Sequence, residues 1–216
     1  GICISAQSTA KINNGLIKDN IASTDGTTAS GYAVNQEGGG VAVCEGSEVT
    51  FAGGTIEGNQ AYDGGGMVVR GASTVFMTGS LTVRQGVVDE ASATGVFKKN
   101  YAYHNGGAVY LGPYKGNNVN RFTMSNGWIY DNEADTGSGG GVYVSTYNGI
   151  YLLGGYIDGN SAQQNGGAIY GYYSVVEVSN GVIQNNLAEL GSGGAIYAQN
   201  TEVKISNGVI QNNIAT

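Results

Sequence analysis

The sequence has little charge, almost no proline and no long hydrophobic run. Only 12% of its 216 residues are charged, and a single residue is proline. Long charged side chains are too scarce to cover the polar faces of helices, so a helical fold is not expected. Because no apolar stretch reaches about 18 residues, we predict no membrane insertion within this segment. The formal net charge of −7 leaves no basic surface, which argues against a nucleic-acid partner.

Cysteine is also rare, with Cys3 and Cys44 as the two examples. They are either two small buried side chains or one disulfide between neighbouring parts of the fold. The chain lacks the residue spacings that are typical of zinc, phosphate-loop and dinucleotide sites. We therefore predict no metal site and no cofactor.

Glycine and apolar residues are abundant, and they recur periodically. The chain contains 39 glycines, and 41% of its residues are hydrophobic, which is enough to bury a core. One motif, Ile-x-x-Asn-x-Ala with Phe97 once in place of Ile, occurs seven times. The asparagines of the seven copies are Asn20, Asn59, Asn100, Asn132, Asn160, Asn186 and Asn213. A motif that recurs in this way indicates one structural unit repeated along the chain.

A glycine doublet precedes six of these copies, and we expect either positive φ angles there or a close approach of another backbone, both of which glycine tolerates. The doublets are Gly39-Gly40, Gly65-Gly66, Gly106-Gly107, Gly140-Gly141, Gly166-Gly167 and Gly193-Gly194. The second glycine of most doublets lies 16 residues before the motif's Ile, as from Gly167 to Ile183. Departures from a regular repeat predict insertions near 23–38, 67–95 and 111–121.

A unit of roughly 26 residues is too short for a strand followed by a crossover helix, but it suits three short strands. We therefore predict an all-β fold: a right-handed parallel β-helix (β-solenoid) with about seven coils of three short strands each. Residues 1–216 form a single domain in this prediction. The repeated asparagines are expected to form a buried ladder of hydrogen bonds along the rod. Neither end of the sequence shows a cap, so we expect the segment to be part of a longer chain or of an assembly.

Both motifs resemble the repeats of the chlamydial polymorphic outer-membrane proteins, which carry a Gly-Gly-Ala-Ile motif and a Phe-x-x-Asn motif in each coil. The similarity is closest at Gly166–Ile169, Gly193–Ile196 and Phe97–Asn100. Six of the seven Phe positions are Ile in this chain, so the resemblance does not fix the source organism. It implies an autotransported adhesin and hence an extracellular or cell-surface location. The lack of Asn-x-Ser/Thr sequons suits a bacterial product better than a eukaryotic secreted one.

Parallel β-helices also include polysaccharide lyases and hydrolases, so the fold alone does not exclude an enzyme. Such enzymes need clustered carboxylates for acid–base chemistry or for holding Ca²⁺. The position after each motif Ile is expected to lie on one outer face. The residues there are Lys18, Glu57, Lys98, Tyr130, Asp158, Gln184 and Gln211. Because no two neighbouring coils carry a carboxylate pair at this position, we predict a protein that is not an enzyme and has no catalytic residue.

Aromatic residues give the strongest candidate for ligand binding. If the motif Ile points inward, the residues on either side of it point outward. Trp128 and Tyr130 then lie on one coil beside Tyr156 and Asp158 on the next. Aromatic rings next to a carboxylate form a platform for sugars, although the same rings can also serve only to stiffen the sheet. A second outward row is expected at Tyr110, Tyr170 and Tyr197.

Three functions follow from these observations. The favoured one is a surface adhesin or stalk that presents loops and the aromatic patch to a glycan or a host surface protein. The second is a subunit that associates end to end into an extracellular filament, since the uncapped ends permit a head-to-tail contact. The third, a polysaccharide lyase or hydrolase, is disfavoured by the missing carboxylate cluster.

Overall fold

The computed structural model describes residues 1–23, 38–113 and 118–216. It shows a parallel β-helix, in which equivalent strands of successive coils pair in parallel, and thereby confirms the predicted fold class. Most of the insertion predicted near 23–38 and the centre of the one near 111–121 lie outside the described residues. Among the described residues, no helix has the length and apolar character needed to cross a membrane.

Three seven-stranded sheets run along the rod. Sheet 1 consists of Ile2–Ile4, Val41–Val43, Met67–Val69, Val109–Leu111, Val142–Val144, Ile169–Tyr172 and Ile196–Gln199. Sheet 2 consists of Thr9–Ile12, Glu48–Phe51, Thr74–Thr78, Arg121–Asn126, Gly149–Leu152, Val175–Val178 and Glu202–Ile205. Sheet 3 consists of Leu16–Lys18, Thr55–Glu57, Val96–Lys98, Trp128–Tyr130, Tyr156–Asp158, Val182–Gln184 and Val209–Gln211.

A fourth sheet of two-residue strands adds to the three strands that the sequence predicts for each coil. It consists of Gln60–Ala61, Tyr101–Ala102, Glu133–Ala134, Ser161–Ala162, Leu187–Ala188 and Ile214–Ala215. These strands contain the Ala of the repeat motif, and Ala102 and Ala134 are fully buried. A larger side chain at this corner would overpack it.

The repeat sets the register of sheet 3. Its strands pair the motif positions directly, for example Phe97 with Ile129 and Ile157 with Ile183. These side chains are fully buried and form part of one continuous hydrophobic core. Near the middle of the core, the Phe97 ring lies 5.2 Å from that of Phe51 and 6.3 Å from that of Phe122, measured between centroids. Burial of this row explains why every copy of the motif has a large apolar residue, Ile or Phe, at this position.

The seven motif asparagines are connected by side-chain hydrogen bonds from coil to coil. Each Nδ2 donates to the Oδ1 of the next asparagine, at distances from 2.8 Å for Asn20 to Asn59 to 3.0 Å for Asn59 to Asn100. Asn132 also accepts a hydrogen bond from the backbone N–H of Asn100 and donates one to the carbonyl oxygen of Phe97. The asparagines of the inner coils are almost fully buried. Because a buried polar group is costly unless it is paired, this corner requires Asn in every coil.

Two further polar columns occupy other corners, and sequence reasoning missed both. In one column, Asn148 Oδ1 accepts hydrogen bonds from both the backbone N–H and the side-chain amide of Asn120. Asn120 Oδ1 in turn accepts a hydrogen bond from the backbone N–H of Ser73. In the other, Asn105 Oδ1 accepts from the backbone of Ser138. These columns mix Ser, Thr, Asn and Asp, so they form no constant motif in the sequence. They satisfy the same need for hydrogen bonds at buried turns.

The turn that precedes sheet 1 in each coil contains the glycine doublet, and we call it the glycine corner. Its glycines do not align from coil to coil as the doublets predicted. Sheet 1 pairs Val41 with Met67 and Val109 with Val142, and the positive φ angles fall three residues before these positions. The glycines with positive φ are Gly38, Gly64, Gly106, Gly139, Gly166 and Gly193. At Gly39, Gly65 and Gly140 the chain has three glycines in a row, and the left-handed residue comes one position earlier. These three glycines instead meet the expected alternative, because a Cβ there would clash with a backbone carbonyl oxygen of the neighbouring coil. The second glycine of the doublet lies 16 residues before the motif Ile both from Gly40 to Ile56 and from Gly167 to Ile183, so this spacing gave no sign of the one-residue offset.

Both cysteines are free thiols in the structure. Cys3 is exposed and Cys44 is partly buried, so the expectation of two buried side chains is wrong for Cys3. Burial raises the pKa of the Cys44 thiol to about 11, with smaller contributions from Cys3 and Glu45. The Cys44 thiol is therefore protonated and weakly nucleophilic at neutral pH.

Candidate ligand-binding groove

A β-hairpin leaves the rod between sheet 2 and sheet 3. An antiparallel bridge between Ser80 and Thr94 closes its base, and Val83–Arg84 pairs with Val87–Val88. The turn residues Gln85 and Gly86 have φ angles of 51° and 81°. Two positive φ angles in succession make the turn that joins antiparallel strands most readily. The hairpin thus corresponds to the second part of the insertion predicted near 67–95. The first part of that range is regular coil, because Met67–Val69 and Thr74–Thr78 are strands of sheets 1 and 2.

Glu90 holds the hairpin against the outer face of sheet 3. It lies in a short 3₁₀ turn, Glu90–Ser92, and accepts hydrogen bonds from Lys98 Nζ at 2.9 Å and from the Tyr130 hydroxyl. These two contacts, first Tyr130 and then Lys98, lower the pKa of the Glu90 carboxyl. We call the contacts of Glu90 with Lys98 and Tyr130 the Glu90 latch.

The latch is expected to open in acid. Because the folded-state pKa of Glu90 lies below its ordinary value, its contribution is present at neutral pH and is lost as the pH falls through that lowered pKa. Trp128 is the only tryptophan and stacks on Tyr130, so its fluorescence emission reports the change. We expect an acid transition in emission for the wild type and none for Glu90→Gln. Global stability of that variant changes by less than about 1 kcal/mol, since Glu90 is largely exposed.

Asp131 provides the control for this titration. Its carboxyl also titrates in acid, and burial raises its pKa above the ordinary value. The variant Asp131→Asn should keep the transition if Glu90 is its source. Loss of the transition in Asp131→Asn, with its retention in Glu90→Gln, would contradict the latch.

A groove of about 390 Å³ lies between the hairpin and sheet 3. Gly86, Val87 and Val88 of the hairpin form one side. The other side is formed by residues on or just after four successive strands of sheet 3: Trp128, Asp158, Gln184, Asn185, Gln211 and Asn212. A concave site with one aromatic wall and several polar groups has the general character of a ligand site.

The structure separates the four residues that the sequence grouped as an aromatic patch. Trp128 and Asp158 line the groove, whereas Tyr156 lies beside Trp128 in the sheet but outside the lining. Tyr130 is 6% exposed, its ring stacks on that of Trp128 with centroids 3.7 Å apart, and its hydroxyl contacts Glu90. Tyr130 is thus positioned to support Trp128 and the hairpin rather than to touch a ligand.

Side-chain amides form the floor of the groove, and sequence reasoning did not select them. Gln211 Nε2 donates to Gln184 Oε1 at 2.9 Å, and Gln184 Nε2 donates to Asp158 Oδ2 at 2.9 Å. Asn185 Nδ2 donates to the other carboxylate oxygen at 2.7 Å. We call Asp158, Gln184, Asn185 and Gln211 the amide row. Gln184 and Gln211 follow the motif Ile and were predicted to share an outer face, but the groove depends on the hairpin, which no repeat pattern reveals.

The second row of tyrosines also includes Tyr143. Stacked rings follow one another along sheet 1 from Tyr110 to Tyr143, Tyr170 and Tyr197, with centroids 5.2, 4.8 and 5.3 Å apart. Because each ring covers the face of its neighbour, little ring face is left for a ligand. The column stiffens sheet 1, as cross-strand aromatic pairs do.

The described lining of the groove contains no cluster of carboxylates. Asp158 is the one acidic residue among the described lining residues, and both of its oxygens already accept hydrogen bonds from amides. Across residues 1–23, 38–113 and 118–216, no group of three or more His, Cys, Asp or Glu residues is arranged to hold a metal ion.

Comparison with known proteins finds a similarity for part of the repeat region. No curated protein and no solved structure shows significant similarity to the chain. A family model does match two segments, 154–172 and 180–199. Each segment begins just before a strand of sheet 3, passes through the ladder asparagine and the glycine corner, and ends in sheet 1. These two coils therefore resemble the Chlamydia polymorphic membrane protein repeat, as the sequence motifs predicted.

Proposed function

We propose that this chain is a non-enzymatic β-helical scaffold on the outer surface of a bacterium, an adhesin-type module that binds an extracellular ligand in the groove beside Trp128. The match of two coils to a repeat of membrane proteins supports the surface location. The groove carries the binding part of the proposal, because the hairpin and sheet 3 build it together and Glu90 fixes the hairpin in place. The ligand is a glycan or a host surface protein.

The groove supports binding better than catalysis. Glycoside hydrolysis needs two carboxyl groups on either side of the scissile bond, and Ca²⁺-dependent lyases need several carboxylate ligands. Among the described lining residues, Asp158 has no second carboxylate with which to share such chemistry. End-to-end association into a filament stays a prediction from the sequence.

Attachment to cells tests this function. Fluorescent beads coated with the purified 216-residue chain are incubated with cultured human cells. The variant Gln211→Arg places a long side chain in the groove, and Ser206→Arg adds the same charge to an exposed residue of the same coil outside it. We expect wild-type and Ser206→Arg beads to attach alike and Gln211→Arg beads to attach roughly tenfold less.

Two results would overturn the proposed function. One is that wild-type beads attach no better than uncoated beads. The other is equal attachment of all three proteins, which would show that the groove takes no part. Circular dichroism of each variant confirms that it remains folded.

A further inference from the structure

The groove presents hydrogen-bonding groups that suit hydroxyls. Asp158, Gln184 and Gln211 occupy one outward position on three successive strands, so their side chains follow one another along the rod. A carboxamide offers both donors and acceptors, and a hydroxyl is likewise both donor and acceptor. A ligand with many hydroxyls can therefore pair with the N–H groups and oxygen lone pairs that the hydrogen bonds within the amide row leave free.

The charge of the groove selects among such ligands. Its described lining contains no Lys or Arg, and its one charged group is the Asp158 carboxylate. A sulfated, phosphorylated or carboxylated ligand would find no counter-charge there and would be repelled by Asp158. The amides of Gln184 and Asn185 hydrogen-bond both oxygens of that carboxylate without cancelling its charge, so this single charge, already engaged, is all that a cationic ligand would find. The lining favours a neutral ligand.

Backbone geometry disfavours a peptide. An extended peptide binds most readily by adding a strand to an exposed sheet edge. The strands of sheet 3 that line the groove from Trp128 to Gln184 are each paired on both sides. The backbone groups of these three strands are thus engaged within the sheet. Among the described lining residues, only those of Val87–Val88 and Val209–Gln211 belong to strands with an unpaired edge.

Trp128 gives the groove an apolar wall at one end. Tyr130 stacks on one face of the indole, and no other ring contacts it among the described residues. The apolar face of a pyranose ring packs well on an aromatic side chain. From Trp128 to Gln211 the lining crosses four strands, a length of about 14 Å at the usual spacing of ~4.8 Å.

We propose that the groove binds a neutral oligosaccharide, with its chain along the rod axis, one ring against Trp128 and its hydroxyls on the amide row. This assignment rests on the groove being the binding site of the proposed function, and it narrows the ligand to one chemical class.

Fluorescence titration of Trp128 tests the class directly, because this is the only tryptophan. The probes are neutral oligosaccharides (maltotriose, cellotriose, N,N′,N″-triacetylchitotriose and lacto-N-tetraose) and two anionic ones (trigalacturonic acid and 3′-sialyllactose). We expect at least one neutral probe to give a saturable change in emission and the anionic probes to give none. Gln211→Arg should weaken that binding roughly tenfold, whereas Ser206→Arg should leave it unchanged. Binding of an anionic probe, or of none, overturns the proposal.

Periodate treatment of the cells separates this proposal from the proposed function. Periodate strong enough to cleave the ring diols of neutral hexoses, rather than the milder treatment that is selective for sialic acid, destroys these sugars, so attachment of wild-type beads should be lost. If attachment survives periodate but is abolished by Gln211→Arg, the groove remains the binding site and the oligosaccharide is the wrong ligand. If neutral probes bind the groove but beads fail to attach to cells, the ligand class holds and the adhesin function is overturned.

Discussion

Replacing Asn132 by Ala is expected to destabilise the rod by about 3–5 kcal/mol. The substitution removes the acceptor of the Asn100 backbone N–H and the donor to the Phe97 carbonyl, and it interrupts the bond to Asn160. Asn100, Asn132 and Asn160 are all buried, so water cannot replace the lost partners. Each unsatisfied buried group costs about 1–3 kcal/mol, and two or three arise at once.

Urea unfolding followed by circular dichroism measures this effect. Asn180→Ala is the matched control, because Asn180 is an exposed asparagine outside the ladder. We expect that control to change the free energy of unfolding by less than about 0.5 kcal/mol. If the two variants differ by less than about 1 kcal/mol, the ladder is not an important source of stability.

Phe97→Ala is expected to have a comparable effect through the core. Phe97 is fully buried between Phe51 and Phe122, so truncation leaves a cavity in the middle of the rod. Phe-to-Ala substitutions in cores cost about 3–5 kcal/mol. For a chain of this size, that cost lowers the melting temperature by roughly 10 °C. Thermal unfolding of the purified variant provides the measurement.

Two companion variants make the core prediction specific. Phe76 lies on the same rod but is 37% exposed, so Phe76→Ala should cost less than half as much as Phe97→Ala. Phe97→Ile should also be milder, because Ile56 and Ile129 occupy the paired positions in the neighbouring coils. A melting temperature for Phe97→Ala equal to that of Phe76→Ala would contradict the central role of this side chain.

The repeat motif predicts the fold well because it is local and periodic. Equal spacing of Ile, Asn and Ala means that stacked coils place the same side chain at the same position, which sheet 3 shows from Ile17 to Ile210. The glycine corner was predicted less well. A run of three glycines contains two doublets, and choosing between them requires the φ angle of Gly38 or Gly64, which composition does not give.

The candidate site was only partly predictable. Trp128 and Asp158 stand out in the sequence because they flank the motif Ile, and both line the groove. Tyr130 was expected to point outward, and it does so, but the contact with Glu90 buries it. The hairpin that creates the groove has a turn sequence, Gln85-Gly86, whose positive φ angles were not foreseen. Nothing in a turn sequence specifies the surface on which the hairpin docks.

The sequence by itself determined the repeating coil, the inward row of Ile and Phe, and the column of asparagines, because each follows from neighbouring residues repeated at a regular interval. The tertiary structure alone decided which outward residues meet. The hairpin folds back on sheet 3 through contacts of Glu90 with Lys98 and Tyr130, and Tyr130 lies 40 residues away in the chain. Such contacts depend on the path of an insertion in space, so the amide row and the groove become visible only once that path is known.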